Sequence, residues 1–547
     1  MKNPRLPKLV LVTAVAFALA ACGSSNHHDD DTPAPTPTPP VMTAGDVFAL
    51  TASNKLVSFN RDAPGTVRTN MAITGLQSGE NLLGIDFRPA DGQLYALGSS
   101  GRIYTLNTST GAATMKSMLA ADATDTSAPY TALAGTDYGV DFNPQADRLR
   151  VVSNTGLNLR INVDTGATTT DGVINGGAAN AAVTAAAYTN SFAGTASTAL
   201  YVLDTANDTL YLQNPPNNGT LSQPLALGVD AGAVNGMDID ARSNTGYAVL
   251  TVGGARNLYS INLAATSSPA TSLGALGIGE DIRGIALRTP QAPVVYGLGD
   301  DNRLHAFKPA TPNTIDASVA IGGMNGGETL LGIDFRPKDG LLYGITSAAR
   351  IVTIDPATGM ATAKATLAAD AADTTLPYAG LVGGAFAVDF NPVADRLRVI
   401  GDGGQNLRIN VDTGATTTDG AINRAGAVPM VTAGAYTNSY AGATATTLYD
   451  IDGANLAMQS PPNDGVLANV GPLGVAAMGD NGMDIAGGAN GLVLAALRTG
   501  VNGPSSLYRI DLATGAATLV NGTATPASSV IGNGQVGVRD IAIWMKP

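Results

Sequence analysis

Six aspartates pose the first chemical question, because they come as two matching sets of three. Asp86, Asp141 and Asp238 are repeated as Asp334, Asp389 and Asp484, each inside a short apolar string. Carboxylates converging on one point offer oxygen-only ligands, which suit Ca²⁺ better than softer metals. The commoner role of such residues on inner strands is to accept amides of neighbouring backbone. That bracing role is expected here, and no metal is assigned. A second chemistry belongs to Arg148, Arg150 and Arg160, copied as Arg396, Arg398 and Arg408 and interleaved with Leu149, Val151, Leu159 and Ile161. Forked guanidinium donors bind the carboxylate or phosphate of a ligand. Between stacked sheets they form ion-pair networks instead, and that reading leads, with Asp141 or Asp147 as the expected partner. Glu80 with Asp86, and Glu328 with Asp334, are the pairs a glycan hydrolase would need about 5–10 Å apart. The loop from Asp164 to Asp171, with Asp412 and Asp419 as counterparts, lacks the alternating aspartates of an EF-hand and reads as a hairpin turn.

Composition narrows the chemistry further. The chain has 547 residues, one cysteine and three histidines, two of which, His27 and His28, lie near the start. Only His305 is left for the body, so hydrolases with a histidine base and histidine-rich zinc sites lack raw material. A net charge of −13 with no Lys/Arg cluster in the body excludes nucleic acid as a partner. With 44% hydrophobic and 13% charged residues, the chain can bury a real core.

The elements that position these residues are written twice. GENLLGIDFRPADG (79–92) returns as GETLLGIDFRPKDG (327–340), an offset of 248, and NLRINVDTGATTTDG (158–172) recurs unchanged at 406–420. A period this long means two homologous domains. Within each copy, short alternating strands are punctuated every eight to twelve residues or so by glycine, asparagine or aspartate. The inner-strand positions Asp86, Asp141, Ala187, Asp238 and Ala286 recur at the spacing of four-stranded propeller blades. The expected fold is all-β, two tandem five-bladed β-propellers. Each would be closed by pairing its first strand, near Asp46 or Val295, with its last, near Ile285 or Ile541. One ten-bladed ring is the alternative, disfavoured because the Gly/Ala-rich inner strands suit a narrow channel. The domains are read as 1–22 leader, 23–44 tether, 45–290 first propeller and 291–547 second propeller.

The leader carries Lys2, Arg5 and Lys8 before the apolar run Leu9 to Ala20, too short to span a bilayer. Leu19-Ala20-Ala21-Cys22-Gly23 resembles the lipobox of bacterial lipoproteins, which implies lipidation at Cys22 and, with Gly23 next, sorting to the outer membrane. Thr32 to Pro40 alternates threonine or alanine with proline, the composition of a semi-rigid spacer.

GENLLGIDFRP, VDFNPxADRLRV and NLRINVDTGATTTDG together resemble the signature of an uncharacterised bacterial family, a domain of unknown function found in exported proteins with propeller-like repeats. The resemblance covers nearly the whole body, twice, and implies no activity. The leading expectation is therefore a non-enzymatic lipoprotein of the outer membrane, facing the periplasm or the surface. Its tandem propellers would bind a protein, peptide or envelope polymer. A glycan-active hydrolase and a passive structural envelope protein are the alternatives.

Overall fold

Ten small sheets account for the body, five in each copy. The computed structural model describes residues 44–288, 292–424, 429–488, 490–500 and 503–545. Cys22, the leader and the tether lie outside the described residues. Among those described, the only helical turns are four short 3₁₀ segments, and no helix is long and apolar enough to cross a membrane.

Each sheet is a blade of four antiparallel strands, joined in one blade of each ring by a short parallel outer strand, Ala120–Ala121 or Ala368–Ala369, and its innermost strand is buried on both faces, as stacked blades require. In the first ring the inner strands are Ile282–Leu287, Leu82–Phe87, Tyr138–Asn143, Val183–Tyr188 and Ala231–Ile239. Each touches the next, and Ala231–Ile239 touches Ile282–Leu287, so the circle closes after five. The second ring does the same with Val538–Trp544, Leu330–Phe335, Phe386–Asn391, Val431–Tyr436 and Gly482–Ile485. Closure is by the tail in both: Val47 faces Leu287 and Ala49 faces Ile285, while Val295 faces Ile543 and Gly297 faces Ile541. Pairing first strand with last removes two free edges per ring. The ten-bladed alternative is thereby excluded.

Small residues make the narrow channel possible. A Cβ on Gly84 would stand 2.5 Å from Val140 Cγ2, and one on Gly139 would stand 2.6 Å from the Ala186 amide nitrogen. Larger side chains there would push the inner strands apart and open the ring.

The rings belong to one compact unit and meet through loops. Phe192 of the first ring is buried in a cluster with Leu492, Leu507 and Ile531 of the second. Gly488 donates its amide to the Arg242 carbonyl, Asn490 Nδ2 reaches the same oxygen at 3.4 Å, and Arg509 donates to the Gly194 carbonyl at 3.1 Å.

Candidate functional site

The sequence places each aspartate near the end of an inner strand, and the fold brings the three of each ring together. One oxygen of each of Asp86, Asp141 and Asp238 lies within 4.8 Å of the others, and Asp334, Asp389 and Asp484 repeat the arrangement. Their hydrogen bonds are the bracing ones. Asp86 accepts the Phe142 amide of the next blade at 2.7 Å, Asp141 accepts Tyr188 at 3.0 Å, and Asp238 accepts Leu287 at 2.6 Å across the closure. Asp334, Asp389 and Asp484 accept Phe390, Tyr436 and Ile543 in the same way. Burial, and for most of the six the charge of their neighbours, raises all of them above the usual carboxylate range; Asp238 reaches about 7 and Asp484 about 6. A divalent cation there would compete with protons and with amide donors. Asp86→Ala strips a buried amide of its acceptor and is expected to cost the first ring about 1–3 kcal/mol. A thermal midpoint unchanged from the parent would contradict the brace.

The arginines form seams between blades, with a correction to the expected partner. Arg150 is 1% exposed and bonds Asp171 at 2.6 Å, Asn158 at 2.8 Å, Asn217 at 2.7 Å and the Tyr188 hydroxyl at 3.1 Å. Arg160 shares Asp171 at 2.7 Å. Arg398 and Arg408 repeat this around Asp419 at 2.6 Å each. Asp171 therefore takes the role expected of Asp141 or Asp147, because Asp141 faces the channel and Asp147 is held by Arg88 at 2.6 Å. Arg148 and Arg396 stand apart from the network, donating to the backbone carbonyls of Asp147 and Asp395. The acidic loop supplies Asp164 and Asp171 to arginines, which accounts for its charge without calcium.

The carboxylate pairs do not form. Glu80 precedes the strand Leu82–Phe87 that carries Asp86, and the four strand steps from Leu82 to Asp86 alone span about 13 Å. Glu80 accepts from Ser100 at 2.7 and 2.6 Å and from Arg102 at 3.1 Å; these bonds outweigh burial and hold its carboxyl below the usual range. Glu328 is clasped by Arg350 at 2.8 and 2.9 Å.

The two rings differ at the channel end where the inner strands finish. Identical strand registers equate Arg288 with Trp544 and Phe48 with Tyr296. In the first ring, Arg61 bonds Asp46 and Asp240 at 2.6 Å each and lies 4.8 Å over the Tyr247 ring, while Arg288 stacks 5.3 Å over Phe48. These ion pairs and stacks fill the seam between two neighbouring blades at that end. In the second ring the counterparts of Arg61, Asp240 and Arg288 are Pro309, Ala486 and Trp544. A cavity of about 420 Å³ opens there, with Asp334 and Asp484 at its floor, Phe335, Tyr440 and Trp544 on its walls, and Arg242 reaching in from the first ring. A second hollow of about 560 Å³ shares Phe335, Gly340 and Trp544 with it and is lined further by Tyr296, Leu341 and Met360. Cavities of this size, mostly apolar with few polar groups, are those that hold small ligands or side-chain anchors.

Comparison with known proteins places the chain in a family. The family model described as a domain of unknown function, DUF4394, matches residues 55–286 and again 303–532. The chain belongs to this family. No curated protein matches it. Among solved structures, the Dos1 propeller is similar over 65% of this chain and 92% of its own, at 12% identity and a TM-score of 0.25.

In both DUF4394 copies the signature strings build seams. Arg88 of GIDFRP bonds Asp147, Asp164, Asp91 and the Tyr95 hydroxyl, and Arg336 bonds Asp395, Asp412, Asp339 and Tyr343. The sequence signal for these arginines was the repeated Arg-Pro-x-Asp-Gly turn. The copies diverge at two buried carboxyls that sequence reading passed over. Asp540, where the first copy has Gly284, accepts the Ile333 amide at 2.8 Å. Asp450 replaces Val202, and Gly434 replaces Ala186 opposite it. A Cβ on Gly434 would lie 2.6 Å from Asp450 Oδ1, yet neither Asp450 oxygen has a hydrogen-bond partner. Burial pushes its carboxyl up to about 8, against the pull of Arg398.

Proposed function

We propose that the protein is an exported binding module, anchored in the outer membrane through lipid on Cys22, whose second ring receives a protein, peptide or envelope polymer at the open channel end. The observation that carries this reading is the contrast between equivalent positions: Arg61, Asp240 and Arg288 make ion pairs and stacks at a blade seam in the first ring, where the second has a cavity walled by Trp544, Tyr440 and Phe335. Binding is favoured over hydrolysis because the carboxylates named for catalysis are committed elsewhere, to amides and to Arg102 or Arg350. A purely passive scaffold has no use for an aromatic hollow beside a channel end.

Two experiments test the reading. Cys22→Ser is expected to move the protein from the membrane fraction to the soluble one, since several acyl chains at about 0.8 kcal/mol per buried CH₂ are lost; an unchanged membrane fraction would remove the anchor. Immobilised chain should retain a component of envelope extract that Trp544→Arg, which installs the first ring's residue, fails to retain. Equal retention by both would place binding elsewhere.

A further inference from the structure

We infer that the open end of the second ring takes a carboxylate group borne on a flat apolar body, presented by the bound protein, peptide or polymer, its anionic head held by Arg242 of the first ring. This rests on the binding reading above and names its ligand class. The sign of the head follows from which charges lining the cavity are already satisfied. Asp334 and Asp484 accept backbone amides from Phe390 and Ile543. Asp339 is held by Arg336 at 3.1 Å and by the Tyr343 hydroxyl at 3.0 Å. Arg336 is itself clasped by Asp395 and Asp412. The guanidinium of Arg242 forms no salt bridge or side-chain hydrogen bond among the described residues, although it lines the cavity. Its neighbour Asp240 is taken by Arg61 at 2.6 Å. Burial raises the Asp240 carboxyl while Arg61 and Arg242 lower it, Arg242 electrostatically and without a direct bond, so the Arg242 guanidinium donors face the cavity without a hydrogen-bonded partner among the described residues, and a forked guanidinium matches a carboxylate in geometry as well as in sign.

The body of the ligand follows from the walls. Trp544 lies against Phe335 with ring centroids 4.6 Å apart, and Tyr296 meets the other edge of Phe335 at 5.6 Å. This aromatic wall separates the cavity beside Arg242 from the hollow beyond, so a flat group can stack on Trp544 while its head stays near the guanidinium. The site is composite. The position equivalent to Arg242 in the second ring is Gly488, so the second ring alone supplies the wall but not the cation.

Calorimetry of the full chain carrying Cys22→Ser tests the inference with three probes of one shape: phenylbutyrate, phenylbutanol and phenylbutylammonium. Phenylbutyrate is expected to bind at least about tenfold tighter than phenylbutanol, the equivalent of one charge-assisted hydrogen-bonded contact. Arg242→Gln should erase that preference while leaving phenylbutanol unchanged; the ring contact uses the Arg242 carbonyl, which the substitution keeps. Trp544→Arg should remove binding of all three. Equal affinities in the parent, a preference that survives Arg242→Gln, or tightest binding of the ammonium would overturn the inference. If no probe binds while envelope material is still retained, the ligand class is wrong and the binding reading stands. If neither occurs, both fall.

Discussion

Arg150→Ala should destabilise the first ring by about 3–5 kcal/mol, the cost of breaking a buried ion pair and leaving its partners unsatisfied. The arginine is 1% exposed, and its removal leaves Asp171 with only the half-buried Arg160 as a cation among the described residues while taking a donor from the buried Asn158 and Tyr188 side chains. Arg398→Ala should do the same to the second ring through Asp419, Asn463 and Tyr436. Arg148→Ala, on the same strand as Arg150, removes bonds to backbone carbonyls and should stay within about 0.5 kcal/mol. The chain's single tryptophan separates the rings: Trp544 lies in the second, so its emission during urea unfolding should follow Arg398→Ala closely and respond far less to Arg150→Ala. Equal displacement of the Trp544 transition by both would mean that the rings unfold as one.

Asp450→Val combined with Gly434→Ala restores the first ring's pair, Val202 and Ala186, and should stabilise the second ring most at alkaline pH. The folded-state carboxyl titrates near 8, far above the unfolded value, so the stability tied to its proton is fully present below about pH 4 and is lost as pH rises toward 8. Over that window the parent should lose up to about 1.4 kcal/mol per pH unit relative to the double variant. At acid pH the gain reduces to burial of an unpartnered neutral carboxyl, about 1–3 kcal/mol. Denaturant midpoints at pH 5 and pH 9 measure the difference. A gain independent of pH would show that Asp450 does not bind its proton on folding.

Much of the architecture was legible because repetition exposes it. The offset between the GIDFRP strings fixed two copies, and an orphan strand at the end of each copy, Ile282–Leu287 and Val538–Trp544, implied closure by the tail. The convergence of Asp86, Asp141 and Asp238 followed from their shared place on inner strands. Partners were harder to read. Asp171 lies two strands away from Arg150, and nothing in strand alternation distinguishes it from the nearer Asp147. The open end of the second ring was least legible. Its three defining replacements, Pro309, Ala486 and Trp544, fall in separate segments, and Arg242 comes from the other ring. Each looks like ordinary drift between copies until strand registers place them around one channel end.

The central claim is that binding occurs against Trp544 of the second ring. Acrylamide quenching of Trp544 emission tests it most directly, with calorimetry establishing separately that phenylbutyrate is bound. The account predicts a half-buried indole that acrylamide reaches in the free protein and that saturating phenylbutyrate shields, with a shift of emission to shorter wavelength. Quenching and emission that stay the same under measured saturation would place the ligand away from Trp544 and contradict the account.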